Sequence, residues 1–279
     1  VHTPAIPNSH NQVSYFRSNG FHIMKRSEIL GLITEFTTCL AVAGTHGKTT
    51  TSSILAHLLR ESGKKITAFL GGISTNFGSN FISDGTEHMV VEADEFDRSF
   101  LKLHPDLLCI TSMDADHLDI YQNEKNLEES FKDFASLVTD PHHRWIKDGL
   151  DVSGLSFGTA SNVDIRVQNI KIENGHDVFD FYSTDQMLRN LQFGLPGAHN
   201  LMNATVAIAM ALDQWCPCKP GILDGNRRVT VGIVQEISPI SSDPPLTGFF
   251  CGFPSSDNWT ANPSKLFELT SCCTALASC

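Results

Sequence analysis

The chain has 279 residues, a formal net charge of −11 and 41% hydrophobic residues. A chain of this length can bury a substantial core in one large domain or two ordinary domains, and we favour two. The acidic balance, with no visible basic stripe, argues against a nucleic-acid partner. No apolar run approaches the roughly 20 residues of a membrane span, and no leader with a cleavage site is visible, so we expect a cytoplasmic protein without a membrane partner.

The first informative segment is CLAVAGTHGKTTTSSILAHLL, which runs from Cys39 to Leu59. Its apolar start predicts a buried strand, its two glycines predict a tight loop, and the remainder predicts a helix. An anion is favoured at such a helix N-terminus, because backbone N–H groups point outward there and the peptide dipoles add partial positive charge. The segment therefore predicts a phosphate-binding loop, with an ordinary strand-to-helix turn as the alternative.

Two residues of this loop have expected roles in binding a nucleotide. Lys48 would contact the outer phosphates, and the Thr49 hydroxyl would contact Mg²⁺. The general form of the motif has a glycine where this chain has Val42, so the match is to the shorter form GTHGKT, which begins at Gly44. Its position between a predicted strand and a predicted helix supports the functional interpretation.

Acidic side chains follow two further predicted strands. The mostly apolar residues 66–72 predict a second strand. Residues 88–95 predict a third strand, which ends in carboxylates. Residues 107–110 predict a further buried strand, which leads into Asp114, Asp116 and His117. Ligands of open parallel α/β sheets bind at the carboxyl ends of the strands. We therefore expect the acidic strand ends and the glycine loop to converge on one crevice.

The rest of the ordered sequence predicts helices and a β-rich insertion. Apolar spacing favours helices over residues 51–61 and 126–138, and an alanine-rich helix over residues 200–212. Residues 151–194 alternate apolar and polar side chains, and Asn174–Gly175 is a turn signal, which predicts a hairpin or small meander beside the sheet.

A metal site is predicted at the strand ends. Mg²⁺ prefers oxygen ligands, so Thr49 and Glu92 suit it, and His117 is a less usual third ligand. The alternative for Glu92 and its neighbours Asp94, Glu95 and Asp97 is a solvated acidic loop. The alternative for His117 is a packed or capping histidine.

Four segments in this order together resemble the central ATP-binding domain of the Mur ligases: AGTHGKTT, EADEFDRSFLKLHPD, TSMDADHLDIY and LPGAHNLMNA. Within the family the resemblance is strongest to the enzymes that add L-alanine to UDP-N-acetylmuramate. It implies an α/β fold with a mostly parallel sheet, a phosphate-binding loop and a small β-rich subregion. It also implies that residues 1–38 are the last part of a UDP-binding N-terminal domain and that residues 39–212 are the ATP-binding domain.

The resemblance implies roles for residues that match the family's motifs. The phosphates of ATP and Mg²⁺ would be bound by Gly44, Thr45, Gly47, Lys48, Thr49 and Thr50. The coordination of the metal would be completed by Glu92 and His117. These two residues and Lys48 are the candidate catalytic residues. The adenine would be met by His199, Asn200 and Asn203, although Asn200 also suits a helix N-cap. His46 lies within the nucleotide-binding loop, and its specific role and that of Asp94 stay open.

The activity implied is an ATP-dependent ligation in peptidoglycan precursor synthesis. ATP would phosphorylate the carboxylate of UDP-N-acetylmuramate, and the amine of L-alanine would attack the acyl phosphate to give an amide, ADP and phosphate. Two alternatives remain: an ATP-binding remnant without ligase activity, and a sister ligase that adds a preformed peptide to the same sugar nucleotide. The sequence predicts no oligomeric state.

Residues 213–279 do not resemble the family's third domain. Six of the eight cysteines lie in this segment, and the spacing of Cys216 and Cys218 does not match a zinc site. Proline, serine and cysteine replace amphipathic periodicity, so we expect a non-native or disordered tail produced by a frame change or a misjoined sequence. Because the chain begins at Val1, we also expect a fragment of a longer protein.

Overall fold

The computed structural model describes residues 1–3, 6–114 and 124–214 and the pair Thr230–Val231. Its strands are β1 (Thr38–Ala43), β2 (Ile66–Ser74), β3 (Ser79–Ser83), β4 (His88–Glu92), β5 (Leu107–Ile110), β6 (Arg144–Lys147), β7 (Leu155–Gly158), β8 (Ile165–Glu173), β9 (His176–Tyr182), β10 (Met187–Phe193) and β11 (Thr230–Val231). Its α-helices are α1 (Asn11–Ser18), α2 (Arg26–Thr34), α3 (Lys48–Glu61), α4 (Glu124–Ser136) and α5 (Ala198–Asp213). Two 3₁₀ segments are Phe96–Lys102 and Pro141–His143.

The strands form one sheet in the order β11-β10-β9-β8-β7-β6-β5-β1-β4-β2-β3. Pairing is parallel from β2 through β4, β1, β5, β6 and β7 to β8. An antiparallel edge strand, β3, flanks one side, and β8, β9 and β10 form an antiparallel meander on the other. The predicted mostly parallel α/β sheet with a small β-rich subregion is confirmed.

The central strand β1 is apolar and buried from Cys39 to Ala43, as expected for a strand that is covered on both faces. Leu40 and Val42 join a core cluster that includes side chains of α3 and α5. The alternate residues Cys39, Ala41 and Ala43 join the cluster on the opposite face, which includes side chains of α4. Helices therefore cover both faces of the strand that leads into the glycine loop.

The structure changes several predicted boundaries. The third predicted strand ends at Glu92 rather than at residue 95. The helix expected over residues 126–138 spans Glu124–Ser136, and the alanine-rich helix begins at Ala198 rather than at residue 200. Gly197 is consequently the N-cap residue of α5. The alternative that made Asn200 the N-cap is wrong; its side-chain amide instead donates to the Pro196 carbonyl at 2.9 Å.

Some predictions lie outside the described residues. Those on Asp116 and His117 do so, as does most of the tail prediction for residues 213–279, including its six cysteines. Within the described part of the chain, no helix combines the length and apolar character needed to cross a membrane.

The 3₁₀ segment Phe96–Lys102 is anchored to α4 by an aromatic cluster. The ring of Phe100 stacks on Phe134 with centroids 4.7 Å apart and an interplanar angle of 11°. Phe131 meets Phe100 edge-on at 5.5 Å, and all three side chains are buried. The cluster fixes the stretch of chain that follows β4 and borders the glycine loop.

We expect Phe134→Ala to lower the free energy of unfolding by about 3–5 kcal/mol, because it removes the stacked ring from a fully buried position. Urea unfolding followed by circular dichroism measures the loss. Leu137→Ala is the control, since Leu137 lies just past α4 and is 41% exposed, and we expect a change within about 0.5 kcal/mol. Equal losses in the two variants would contradict the anchoring role of the cluster.

Candidate nucleotide-binding site

The loop between β1 and α3 needs both of its glycines. Gly44 has a φ of 132° and Gly47 a φ of 82°, values that favour glycine. A Cβ on Gly44 would collide with the side chain of Thr111, and a Cβ on Gly47 would collide with the amide of Asn203. The loop therefore passes close to the segment after β5 on one side and to α5 on the other.

The hydroxyl groups of the segment after β5 hold the glycine loop in place through hydrogen bonds. Thr111 Oγ1 lies 2.5 Å from the His46 carbonyl oxygen and 3.0 Å from the Ala43 carbonyl oxygen, and its single O–H can donate to either of them. Ser112 Oγ accepts from His46 N–H at 2.8 Å and lies 2.8 Å from Thr45 Oγ1. Sequence reasoning missed Thr111 and Ser112 as loop partners, although their place directly after a predicted strand was a usable signal.

Asp114 extends the same connection. Its backbone N–H donates to Thr45 Oγ1 at 3.1 Å, and its carboxylate lies 3.7 Å from His46 Nε2, with both side chains largely exposed. The expected convergence of the β5 end on the glycine loop is therefore confirmed.

Lys48, the first residue of α3, points its ammonium back into the loop. Its Nζ donates to the Gly44 carbonyl at 2.7 Å and lies 3.0 Å from Oε1 and 2.9 Å from Oε2 of Glu95. The Glu95 side chain is 0% exposed and the Lys48 side chain is 14% exposed. The solvated-loop alternative is therefore wrong for Glu95, and sequence reasoning did not identify Glu95 as a partner of Lys48.

Glu92 is held at the end of β4. Its Oε2 accepts from the backbone N–H of Gly71 at 2.7 Å, and a Cβ on Gly71 would collide with this carboxylate. Burial raises the pKa of Glu92 above its usual value, while hydrogen bonds from Thr49 and Gly71 and the charge of Lys48 oppose that rise. The solvated-loop alternative is therefore wrong for Glu92 as well, whereas Asp94 and Asp97 are exposed.

Two predicted Mg²⁺ ligands, Thr49 and Glu92, lie close enough together that the Thr49 hydroxyl lowers the pKa of the Glu92 carboxyl and partly offsets the effect of burial. Hydroxyl and carboxylate oxygens suit this cation, which keeps several waters and needs few protein ligands when it is bound with phosphates. The donor set in the structure therefore fits Mg²⁺. No group of three or more His, Cys, Asp or Glu side chains suited to a metal occurs among the described residues, and the third predicted ligand, His117, lies outside them.

The residues predicted to meet adenine lie on the first turns of α5. Asn203 is buried and its side chain packs on Gly47. His199 is exposed one turn earlier on the same side of the helix, and Asn200 is half-buried. Thr50 is half-buried in the first turn of α3. The structure thus brings Asn203 to the loop itself, while His199 lies one helical turn from Asn203 along α5.

Comparisons with known proteins place the sequence in a family. The sequence matches the profile of the Mur ligase middle domain over residues 42–211. The UDP-N-acetylmuramate–L-alanine ligase of Christiangramia forsetii is 54% identical over 213 residues, which are 76% of this chain and 47% of that protein. The chain thus spans about half the length of the curated relatives it matches.

Two solved structures share the fold. The UDP-N-acetylmuramate–alanine ligase of Thermotoga maritima matches with a TM-score of 0.65 and 24% identity, over 78% of this chain and 51% of that chain. The UDP-N-acetylmuramate:L-alanyl-γ-D-glutamyl-meso-diaminopimelate ligase of Neisseria meningitides has the same TM-score of 0.65 and 21% identity, over 76% of this chain and 72% of that chain. From the match to the middle domain and the 54% identity to one of its members, the chain belongs to the Mur ligase family.

Proposed function

We propose that residues 39–212 bind MgATP and form the ATP-binding domain of a cytoplasmic ligase that joins L-alanine to the carboxylate of UDP-N-acetylmuramate in peptidoglycan precursor synthesis. The observation that carries the proposal is the glycine loop at the N-terminus of α3, with Lys48 within it and the Thr49–Glu92 pair beside it. The 54% identity to an alanine-adding relative supports alanine as the amine.

The residues of the site have separable roles in this proposal. The loop amides and the N-terminus of α3 bind the phosphates, and Lys48 stabilises negative charge on the phosphoryl group that passes to the substrate carboxylate. Thr49 and Glu92 hold Mg²⁺, with His117 as the proposed third ligand, and the ion neutralises phosphate charge. His199, Asn200 and Asn203 would contact the adenine.

Phosphorylation explains why such a ligase needs ATP. A carboxylate oxygen is a poor leaving group, so the carboxylate is first converted to an acyl phosphate, from which the amine displaces phosphate. The proposed partners are therefore small molecules. The net charge of −11 does not favour binding to the negatively charged backbone of a nucleic acid. The free, buried thiols of Cys39 and Cys109 are in keeping with a reducing cytoplasm.

The proposal retains the division into residues 1–38 as the end of a UDP-binding domain, residues 39–212 as the ATP-binding domain and residues 213–279 as an unassigned tail. An ATP-binding remnant without ligase activity is the second candidate, because the chain spans only 47% of its relative. Incubation with MgATP, UDP-N-acetylmuramate and L-alanine separates the two. MgATP binding without amide formation supports the remnant.

We expect Lys48→Ala to weaken MgATP binding by about tenfold or more, because it removes a charge-assisted contact to phosphate. Isothermal titration calorimetry on protein shown to be folded by circular dichroism measures the dissociation constant. Lys171→Ala is the matched control, since Lys171 lies on the exposed surface of the meander. Unchanged affinity in Lys48→Ala would remove the nucleotide-binding proposal.

We expect Glu92→Gln to raise the Mg²⁺ concentration required for ATP binding by several-fold while the thermal unfolding midpoint stays close to that of the wild type. The reason is that the amide keeps the shape of the side chain and an acceptor for Gly71 N–H but loses the charge that favours the cation. Titration of Mg²⁺ at fixed ATP measures the effect. Asp94→Asn, at an exposed position two residues further on, is the control, and a large fall in stability with a normal Mg²⁺ response would instead assign Glu92 a structural role.

A further inference from the structure

Lys147, the last residue of β6, carries an ammonium that the described part of the chain leaves without a hydrogen-bond acceptor or a salt-bridge partner. Its side chain is half-buried, and Nζ lies 5.6 Å from the ring centroid of Phe157. Burial lowers the pKa of Lys147, while the charge of Asp148 opposes that effect. The three N–H donors of this ammonium are therefore available to a ligand.

Lys147 lies at the carboxyl edge of the sheet, which is also the edge of the glycine loop. Ile146 of β6 is in register with Ile110 of β5, which is in register with Ala43 of β1. Lys147 is therefore level with Gly44, the first residue of the loop. Because neighbouring strands lie about 4.8 Å apart, β6 lies roughly 10 Å from β1, with β5 between them.

Lys147 also lies on the face of the sheet that carries α3 and α5. It is in register with Phe157 of β7, and Phe157 belongs to the core cluster that includes side chains of both helices. α3 packs on β1, β2 and β4, whereas α5 packs on β7 and β8. α3 begins at Lys48, and α5 begins at Ala198 and brings Asn203 against the glycine loop. Lys147 is therefore placed between the strands covered by the two helices, at the edge where both helices begin.

We propose that Lys147 is a nucleoside-binding residue whose ammonium, supported by the Phe157 ring, donates a hydrogen bond to the ribose or base of the bound nucleotide. The inference rests on the proposed MgATP site. With the phosphates at the start of α3 and the adenine near His199 at the start of α5, the nucleoside has to pass the carboxyl end of β6. Ribose hydroxyl oxygens and adenine ring nitrogens are acceptors, and Lys147 can donate to them without giving up an acceptor of the protein.

The variant Lys147→Met tests the role, because it keeps the apolar stem of the side chain and removes the charge and the donors. We expect the dissociation constant for MgATP to rise about fivefold to tenfold. We also expect the urea unfolding midpoint to stay unchanged or rise, because a half-buried charge without an acceptor does not stabilise the fold. Unchanged affinity, or a loss of affinity accompanied by a fall in the midpoint, would overturn the proposal.

The matched control is Lys64→Met. Lys64 is also half-buried, but it lies just before β2 begins at Ile66 and therefore at the amino edge of the sheet. We expect its affinity for MgATP to equal that of the wild-type chain. The control separates a contact with the nucleoside from the general effect of removing one positive charge from an acidic chain.

Chemical labelling of the wild-type chain gives a readout that depends on no variant. Reductive methylation followed by peptide mass spectrometry measures the reactivity of each lysine, and we expect MgATP to slow the labelling of Lys147 at least threefold while Lys64 reacts at an unchanged rate. Magnesium tripolyphosphate, which lacks the nucleoside, should leave Lys147 unprotected. Binding of MgATP without protection of Lys147, or protection of Lys147 by tripolyphosphate, overturns the nucleoside contact, whereas absence of MgATP binding by the wild-type chain overturns the proposed function itself.

Discussion

The site depends on the parallel pairing of β1 with β4 on one side and with β5 on the other. Val42 lies in register with Glu92 of β4 and with Cys109 of β5. The three strands therefore end at the same edge, where the glycine loop, the Glu92 carboxylate and the Thr111 hydroxyl meet. A slip of one residue in β4 would turn Glu92 to the opposite face of the sheet, so the apolar pattern that fixes register also fixes the chemistry.

Two carboxylates near the end of β4, those of Glu92 and Glu95, have different partners. Glu92 is the last residue of β4 and reaches Thr49 and the Gly71 amide. Glu95 follows three residues later, outside the strand, and reaches Lys48. The two carboxylates therefore contact different parts of the loop region: Glu92 lies beside the first turn of α3 and Gly71, and Glu95 pairs with the Lys48 ammonium.

Much of this could be predicted from the sequence, because the strongest signals are local. The apolar run before Gly44 and the Gly-Lys-Thr that begins α3 predict the loop, and the strand-end rule places Glu92 beside it. Glu95 could not be assigned Lys48 as its partner, because the contact joins residues 47 positions apart in the chain. The N-cap of α5 was misplaced because Asn200 has the usual capping chemistry, whereas the turn at Gly197 starts the helix earlier.

The backbone turn that presents Glu95 also contacts the first 38 residues. Asp97 and Arg98 both have a φ of 54°, a conformation that is unfavourable for residues with a side chain. Such strain persists only where surrounding contacts maintain it, and here Arg98 N–H donates to the Glu95 carbonyl at 2.9 Å, while Lys25 at the start of α2 lies 3.0 Å from Asp97 on the exposed side of the turn. Gly31 of α2 also lies so close to the Lys102 carbonyl that a Cβ would collide with it. The segment before β1 therefore contacts the turn that sets Glu95 against Lys48, which connects the N-terminal region physically to the glycine loop.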